Sequence, residues 1–253
     1  MITKKELRQL FEYRKDGNLI HKTKTTRRNI GDIAGCLYDK RIIITVQKIN
    51  YKLYELIYIY HYDNINQYTK IFHKNGNQLD NRIENLIAID MTPNRIIDKD
   101  FLHQLFYYID GKLYWKISPD GNATKVGSRA GYNRIDGYRG CTIQSKTFQE
   151  HRIIYIYHYD IFDYNFDIDH INKIKDDNRI ENLRLVTEQE NLFNVNASGA
   201  SFKKDSNKWQ SYITITGKKI YLGYFDNKEE AHNTYLEAKK KYHIIPDRKP
   251  NAN

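Results

Sequence analysis

Apolar and polar positions along this chain follow two rhythms, helical and strand-like, and the same succession of rhythms occurs twice. Leu7, Leu10 and Phe11 recur at helical spacing behind Thr3, with Glu6 three residues after it. That pattern predicts a short amphipathic helix opened by a capping box. A turn at Asp16-Gly17 then leads into a β-like run over residues 18–22. The same signals return at Asp110-Gly111 and over residues 112–116. Between turn and loop lie two aromatic-rich blocks, LIYIYHYD at 56–63 and IIYIYHYD at 153–160. Each is apolar enough to be buried, and the pattern fits either helix or strand. His61 and His158 inside them read as packing or hydrogen-bonded residues.

The recurrence extends beyond rhythm to identity. Residues 73–86 (HKNGNQLDNRIENL) and 170–183 (HINKIKDDNRIENL) share nine of 14 positions without a gap. LRQLF at Leu7 returns as LHQLF at Leu102, and Ala34-Gly35 returns as Ala130-Gly131. Self-similarity at a nearly fixed offset is the signature of a repeated unit. We therefore expect two copies of one module, residues 1–98 and 99–196, followed by a different domain at 197–253.

Residues 167–194 carry the chemistry. They read as a strand ending at Asp169-His170, a polar loop, a short strand over 183–187 and a helix from Glu188. Such a ββα unit sets a carboxylate and an imidazole opposite amides on the helix. Phosphodiester hydrolysis needs a hard cation on the phosphate oxygens and a base for the attacking water. A carboxylate with an Asn carbonyl suits Mg²⁺, which keeps most of its waters. A neighbouring His, with an ordinary pKa of about 6.5, suits the base. A polar Asx-rich loop with a lone His is more often only a loop, so the spacing decides the reading.

That spacing resembles the HNH endonuclease motif of phage and intron homing endonucleases, in the version with Asn in place of the last His. The run is Asp169-His170, then Asn182, L-x-x-V-T, and Asn191, and the resemblance spans roughly residues 112–194. It implies Asp169 and Asn191 as ligands of Mg²⁺ or Mn²⁺, His170 as general base, and Asn182 as the brace that orients the base. His151-Arg152-Ile153 resembles the block that precedes this motif. Arg152 is a candidate DNA contact, and His151 reads as structural.

The first copy keeps His73, Asn85 and Asn94 at the same spacings, but Phe72 stands where the second has Asp169. A benzyl group cannot bind Mg²⁺, so this site is expected to be degenerate, kept as scaffold or as a DNA-binding half. Tyr54-Glu55 also replaces His151-Arg152.

After residue 196 the pattern predicts two or three short strands and a helix. Asn227 would cap the helix, and Ala231, Tyr235, Ala238 and Tyr242 form its apolar stripe. The strings K-W-x-x-x-I at Lys208 and L-G-x-F-x-N-x-E-E-A at Leu222 resemble APETALA2-type DNA-binding domains, in which a three-stranded sheet packs on one helix. Strand alternation puts Trp209, Ser211, Ile213 and Ile215 on a core face. Gln210, Tyr212, Thr214, Lys219 and Tyr221 fall on the other, which with Lys203 and Lys204 is the candidate DNA face. Lys stands where such domains commonly use Arg, which weakens bidentate reading of guanine.

Composition narrows the partner. Forty-one Lys and Arg against 31 Asp and Glu give a net charge of +10, and residues 196–253 hold 11 of those cations against six carboxylates. A pI near 9.3 favours a polyanion. Mean hydropathy of −0.77, with no long apolar run or signal-like start, makes membrane attachment and secretion the weaker readings. Two distant cysteines, Cys36 and Cys141, support neither a disulfide framework nor a Cys-based zinc site. The expectation is an intracellular α+β protein: two tandem ββα-metal modules and a small sheet-on-helix domain, acting on double-stranded DNA. It would work as a monomeric pseudo-dimer, with a homodimer as the competing arrangement. The rival functions are a DNA-binding regulator with relic nuclease modules and a restriction or defence nuclease.

Overall fold

The computed structural model describes residues 2–62, 65–93, 95–119, 124–160, 165–194, 197–215 and 217–248. Asn94 lies outside them. The first segment runs α1 (Lys4–Leu10), β1 (Phe11–Tyr13), β2 (Leu19–His21), β3 (Cys36–Tyr38), β4 (Arg41–Val46), β5 (Ile49–Lys52), α2 (Leu53–His61), β6 (Thr69–His73) and β7 (Leu86–Asp90). The second begins α3 (Lys99–Leu105), β8 (Phe106–Ile109), β9 (Lys112–Trp115), β10 (Tyr132–Asn133), β11 (Arg139–Ile143) and β12 (Lys146–Gln149). It continues α4 (Glu150–Tyr159), β13 (Asp167–His170), β14 (Leu183–Val186) and α5 (Glu188–Phe193). Up to α5 the order is the same in both, and a 3₁₀ turn precedes β7 and β14 alike.

Local chemistry explains the elements. Thr3 and Glu6 form the reciprocal capping box of α1, and Thr187 and Glu190 form that of α5. Two-residue turns with both φ angles positive join β4 to β5 at Gln47-Lys48 and β11 to β12 at Gln144-Ser145. Such turns match the twist of the strands they connect. The aromatic blocks are helical. Leu53, Leu56 and Ile57 bury one face of α2, the three- and four-residue spacing of a helix against a core. At the predicted turn, a β-carbon on Gly17 would come within 2.6 Å of the Arg82 backbone nitrogen, so the close approach needs glycine.

The last segment forms β15 (Ala200–Lys203), β16 (Lys208–Ile215), β17 (Lys218–Phe225) and α6 (Lys228–Tyr242). The strands pair antiparallel in that order. Asn227 caps α6 by accepting from the Glu230 amide. Ile213, Tyr235 and Ala238 make the core, with Ile215 and Leu222 against it.

Two compact units result: Met1–Tyr132 with Gly140–Phe148, and Asn133–Arg139 with Gln149–Asn253. They do not part at the boundary expected after residue 98. The helix and hairpin of residues 99–115 fall in the first unit, while residues 149–194 share the second with the C-terminal sheet. Among the described residues no helix is long and apolar enough to cross a membrane.

Candidate active site

β13 and β14 pair with His170 opposite Leu183 and Asp169 opposite Arg184. Neighbouring side chains on a strand leave opposite faces, so Asp169 and His170 diverge. Asp169 is buried, and its Oδ2 accepts from Arg184 Nε at 3.0 Å and Nη2 at 2.7 Å. The Asn194 amide nitrogen lies 2.9 and 3.0 Å from the two carboxylate oxygens and 2.9 Å from the His170 carbonyl oxygen. A guanidinium and an amide thus offset the cost of taking this charge out of water.

His170 is held by a chain of three further groups. Its Nε2 lies 2.8 Å from Asn178 Oδ1. Asn178 Nδ2 donates to Glu150 Oε2 at 3.0 Å, and Arg139 Nε donates to the same oxygen at 3.1 Å. Glu150 is fully buried and ion-paired to Arg139, so its carboxylate can only accept. Asn178 must therefore turn its NH₂ to Glu150 and its oxygen to His170. An oxygen acceptor keeps the imidazole proton on Nε2 and leaves the Nδ1 lone pair for chemistry.

Two rings flank this imidazole. His151 stands edge-on at 5.1 Å between ring centroids, and Tyr138 lies at 6.0 Å. Burial first, then repulsion from His170 and Arg152, push the His151 pKa down to about 3. The His170 ring therefore faces a neutral His151 at neutral pH.

Asn182 ties the loop together without a hydrogen bond to the His170 ring. Its Nδ2 donates to Asn172 Oδ1 at 3.0 Å and to the Asp177 carbonyl at 2.7 Å, and its Oδ1 accepts from the Asn172 amide. Arg179 closes the loop on Asp177 through two bonds of 2.8 and 2.7 Å. The side chain that orients His170 is Asn178, four residues before Asn182. Likewise the amide that reaches Asp169 belongs to Asn194. Among the described residues no hydrogen bond joins the Asn191 side chain to Asp169; its carbonyl accepts from the Asn194 amide at 3.2 Å.

The first segment keeps the loop and loses the charges. Asn85 bonds Asn75 and the Asp80 carbonyl at 3.0 and 2.7 Å, and His73 Nε2 lies 3.0 Å from Asn81 Oδ1. Burial lowers the His73 pKa. At the offset that matches the two hairpins, however, Ile42 and Leu53 stand where Arg139 and Glu150 stand. Phe72 faces Ile87 across the strands where Asp169 faces Arg184. Both ion pairs are replaced as pairs, since either partner alone would be a buried, uncompensated charge.

Helix α5 is also strapped by the stretch that follows α6. Arg248 clasps the Glu190 carboxylate with both terminal nitrogens, one at 2.7 Å, and its guanidinium lies 5.2 Å from the Phe166 ring centroid. Its carbonyl accepts from the Tyr155 hydroxyl at 3.3 Å. This contact holds the Glu190 pKa down at about 2, the Arg248 hydrogen bonds being the largest cause. His243 stacks flat on Phe193, with centroids 4.0 Å apart.

On the C-terminal sheet the register sets Gln210 opposite Tyr224, Tyr212 opposite Tyr221 and Thr214 opposite Lys219. Leu222 is skipped in that pairing, and this bulge turns Tyr221 and Lys219 onto the face of Tyr224. Lys203, Lys204, Thr214, Lys219 and Tyr221 are exposed, and Tyr212 is half-buried under the Lys219 ammonium, 4.6 Å from its ring centroid. Gln210 is not exposed: it is buried and donates to the Tyr224 hydroxyl at 2.9 Å. Arg152 pairs with Asp167 at 3.1 Å.

Residues 149–192 match the family described as HNH endonuclease. That stretch forms an HNH endonuclease domain, the domain of a DNA-cleaving enzyme, and contains Glu150, Asp169, His170 and Asn178. A solved structure described as DNA binding and cleavage by the HNH homing endonuclease I-HmuI is 26% identical, with a TM-score of 0.30. The match covers 40% of this chain and 60% of that one. No curated protein matches the chain.

The paired replacements give a direct test. Glu150→Leu alone strands Arg139 and should cost about 3–5 kcal/mol of stability. Adding Arg139→Ile, which completes the first segment's apolar pair, should restore most of that stability in urea unfolding. Cleavage should stay abolished, because Asn178 has no acceptor for its NH₂. A double variant no more stable than the single one contradicts this account of the pair.

Proposed function

We propose that this chain is a site-specific DNA endonuclease of the homing type, in which the second segment cuts, the first is silent, and the C-terminal sheet holds the target. The observation that carries this reading is the buried chain from Arg139 through Glu150 and Asn178 to His170, set beside Asp169. With its Nε2 proton held on Asn178, His170 keeps Nδ1 to take a proton from an attacking water.

The donor set around Asp169 suits a hard divalent cation. Asp169 supplies a carboxylate, and Asn194 supplies an amide oxygen once its terminal group turns, with Asn191 nearly one helical turn back. Among the described residues no three His, Cys, Asp or Glu side chains converge as a cage. An ion held by these residues would keep most of its waters, as Mg²⁺ does, and Mn²⁺ suits the same oxygens. Bound there, the cation would polarise the phosphoryl group and stabilise charge on the leaving oxygen. In the first segment Phe72 and Ile87 stand where Asp169 and Arg184 stand, which supports a single cutting site and a nicked product from a monomer.

Plasmid nicking with and without Mg²⁺ tests the assignment. His170→Ala should slow cleavage about 10²–10⁴-fold, and Asp169→Ala should abolish it at ordinary Mg²⁺. His73→Ala should change little, and open circles should accumulate without concerted linear product. Equal sensitivity at His73 and His170 would refute the division of labour.

The C-terminal domain resembles an APETALA2-type sheet, and its face of Tyr212, Tyr221, Lys219 and Thr214 beside Lys203 and Lys204 supports a role in holding duplex DNA. Because Arg248 braces α5, substitutions test this better than truncation. Lys203→Ala, Lys204→Ala and Lys219→Ala together should lower the slope of log affinity against log salt by about 0.9 for each phosphate that these lysines neutralise. Nicking at saturating DNA should be unchanged. An unaltered slope would remove this face from the DNA interface.

A further inference from the structure

We infer that the first segment carries a nucleotide-binding pocket where the second carries its nuclease site; the nuclease reading enters only as one source of the ligand. A cavity of about 450 Å³ opens beside Phe72 and His73, within the size range of small-ligand sites. Tyr51, Tyr54 and Phe72 give it aromatic walls, and Arg41, Lys52 and Lys70 give it cations.

Charge in the cavity is unbalanced. Lys52 is matched by Glu55 at 3.0 Å. Arg41 donates its Nε to the neutral Gln78 Oε1 at 3.0 Å, and neither Arg41 nor Lys70 has an ion-pair partner among the described residues. Three cations against one carboxylate favour an anion. Simple decay of a nuclease site does not produce this arrangement. Both ion pairs were exchanged for apolar pairs, yet Arg41 stands where the second segment has Tyr138, and Tyr54 stands where it has His151. Tyr54 sits edge-on against His73 at 4.9 Å. The wall that encloses a base in one segment is a guanidinium beside aromatic rings in the other.

A guanidinium takes a phosphate through two parallel bonds, and an aromatic face takes a nucleobase by stacking. The ligand class is therefore a phosphate-bearing nucleotide, either a unit of a DNA strand or a free nucleoside monophosphate. Titration calorimetry of the full chain carrying His170→Ala, with dAMP and with inorganic phosphate, tests the pocket without cleavage. One dAMP should bind per chain, about tenfold or more tighter than phosphate, and Arg41→Gln should weaken it by about tenfold. Lys70→Gln, at an exposed position that cannot disturb folding, should weaken it in the same direction. If Arg41→Gln also lowers affinity for a short duplex, the nucleotide comes from DNA; if duplex binding is untouched, it is free. The pocket is overturned if dAMP does not bind saturably, binds no tighter than phosphate, or binds both variants as tightly as the parent. A wild-type chain that nicks plasmid while its His170→Ala form ignores dAMP would lose the pocket and keep the nuclease.

Discussion

A single buried carboxylate organises the HNH segment of this protein. Glu150 sits at the first position of α4 with no exposed surface, and it accepts from Arg139 on one side and Asn178 on the other. Because it cannot donate, it fixes the orientation of an amide, and the amide fixes the tautomer of His170. Three elements distant in sequence are thereby committed to one geometry: the start of β11, the start of α4 and the loop after β13. Little of this depends on exposed side chains, so the His170 ring is oriented by the fold itself.

The first segment shows what remains when that carboxylate is absent. Its loop is tied by the same Asn and Asp residues, and its imidazole still meets an asparagine. Leu53 and Ile42 instead join the hydrophobic core of that unit. The loop is thus a structural device that stands without those charges, and Asn85 and Asn182 belong to it. What the second segment adds to the device is charge: Glu150 with Arg139, and Asp169 with Arg184. Each pair is neutral as a whole, which is why it can be present or absent but not halved.

Much of this was legible in the sequence. The duplicated blocks, the strand ending at Asp169-His170, the capping residues Thr3 and Asn227, and the sheet-on-helix tail all follow from local rules of spacing and capping. The aromatic blocks could not be assigned because both rhythms fit an aromatic-rich run of eight residues; burial of Leu53, Leu56 and Ile57 resolves the first as helix. Asn178 was in view within the identical DNRIENL run, yet nothing local distinguishes it from Asn182. The repeat gives no sign of Glu150 and Arg139, since Leu53 and Ile42 occupy their places. Asn194 outreaches Asn191 because α5 is short and its last turn, not its middle, meets β13. Gln210 obeys the strand alternation that placed it on the polar face, but a tyrosine directly across the ladder covers it.

The tautomer of His170 is the quantity on which this account turns, and long-range ¹H–¹⁵N correlation of the imidazole reads it directly. The account predicts a proton on Nε2 and a bare Nδ1 in the neutral ring. It also predicts that Glu150→Gln, which can donate as well as accept, shifts that balance while the His73 signals stay in place. A neutral His170 protonated on Nδ1, or one indifferent to Glu150→Gln, would contradict it.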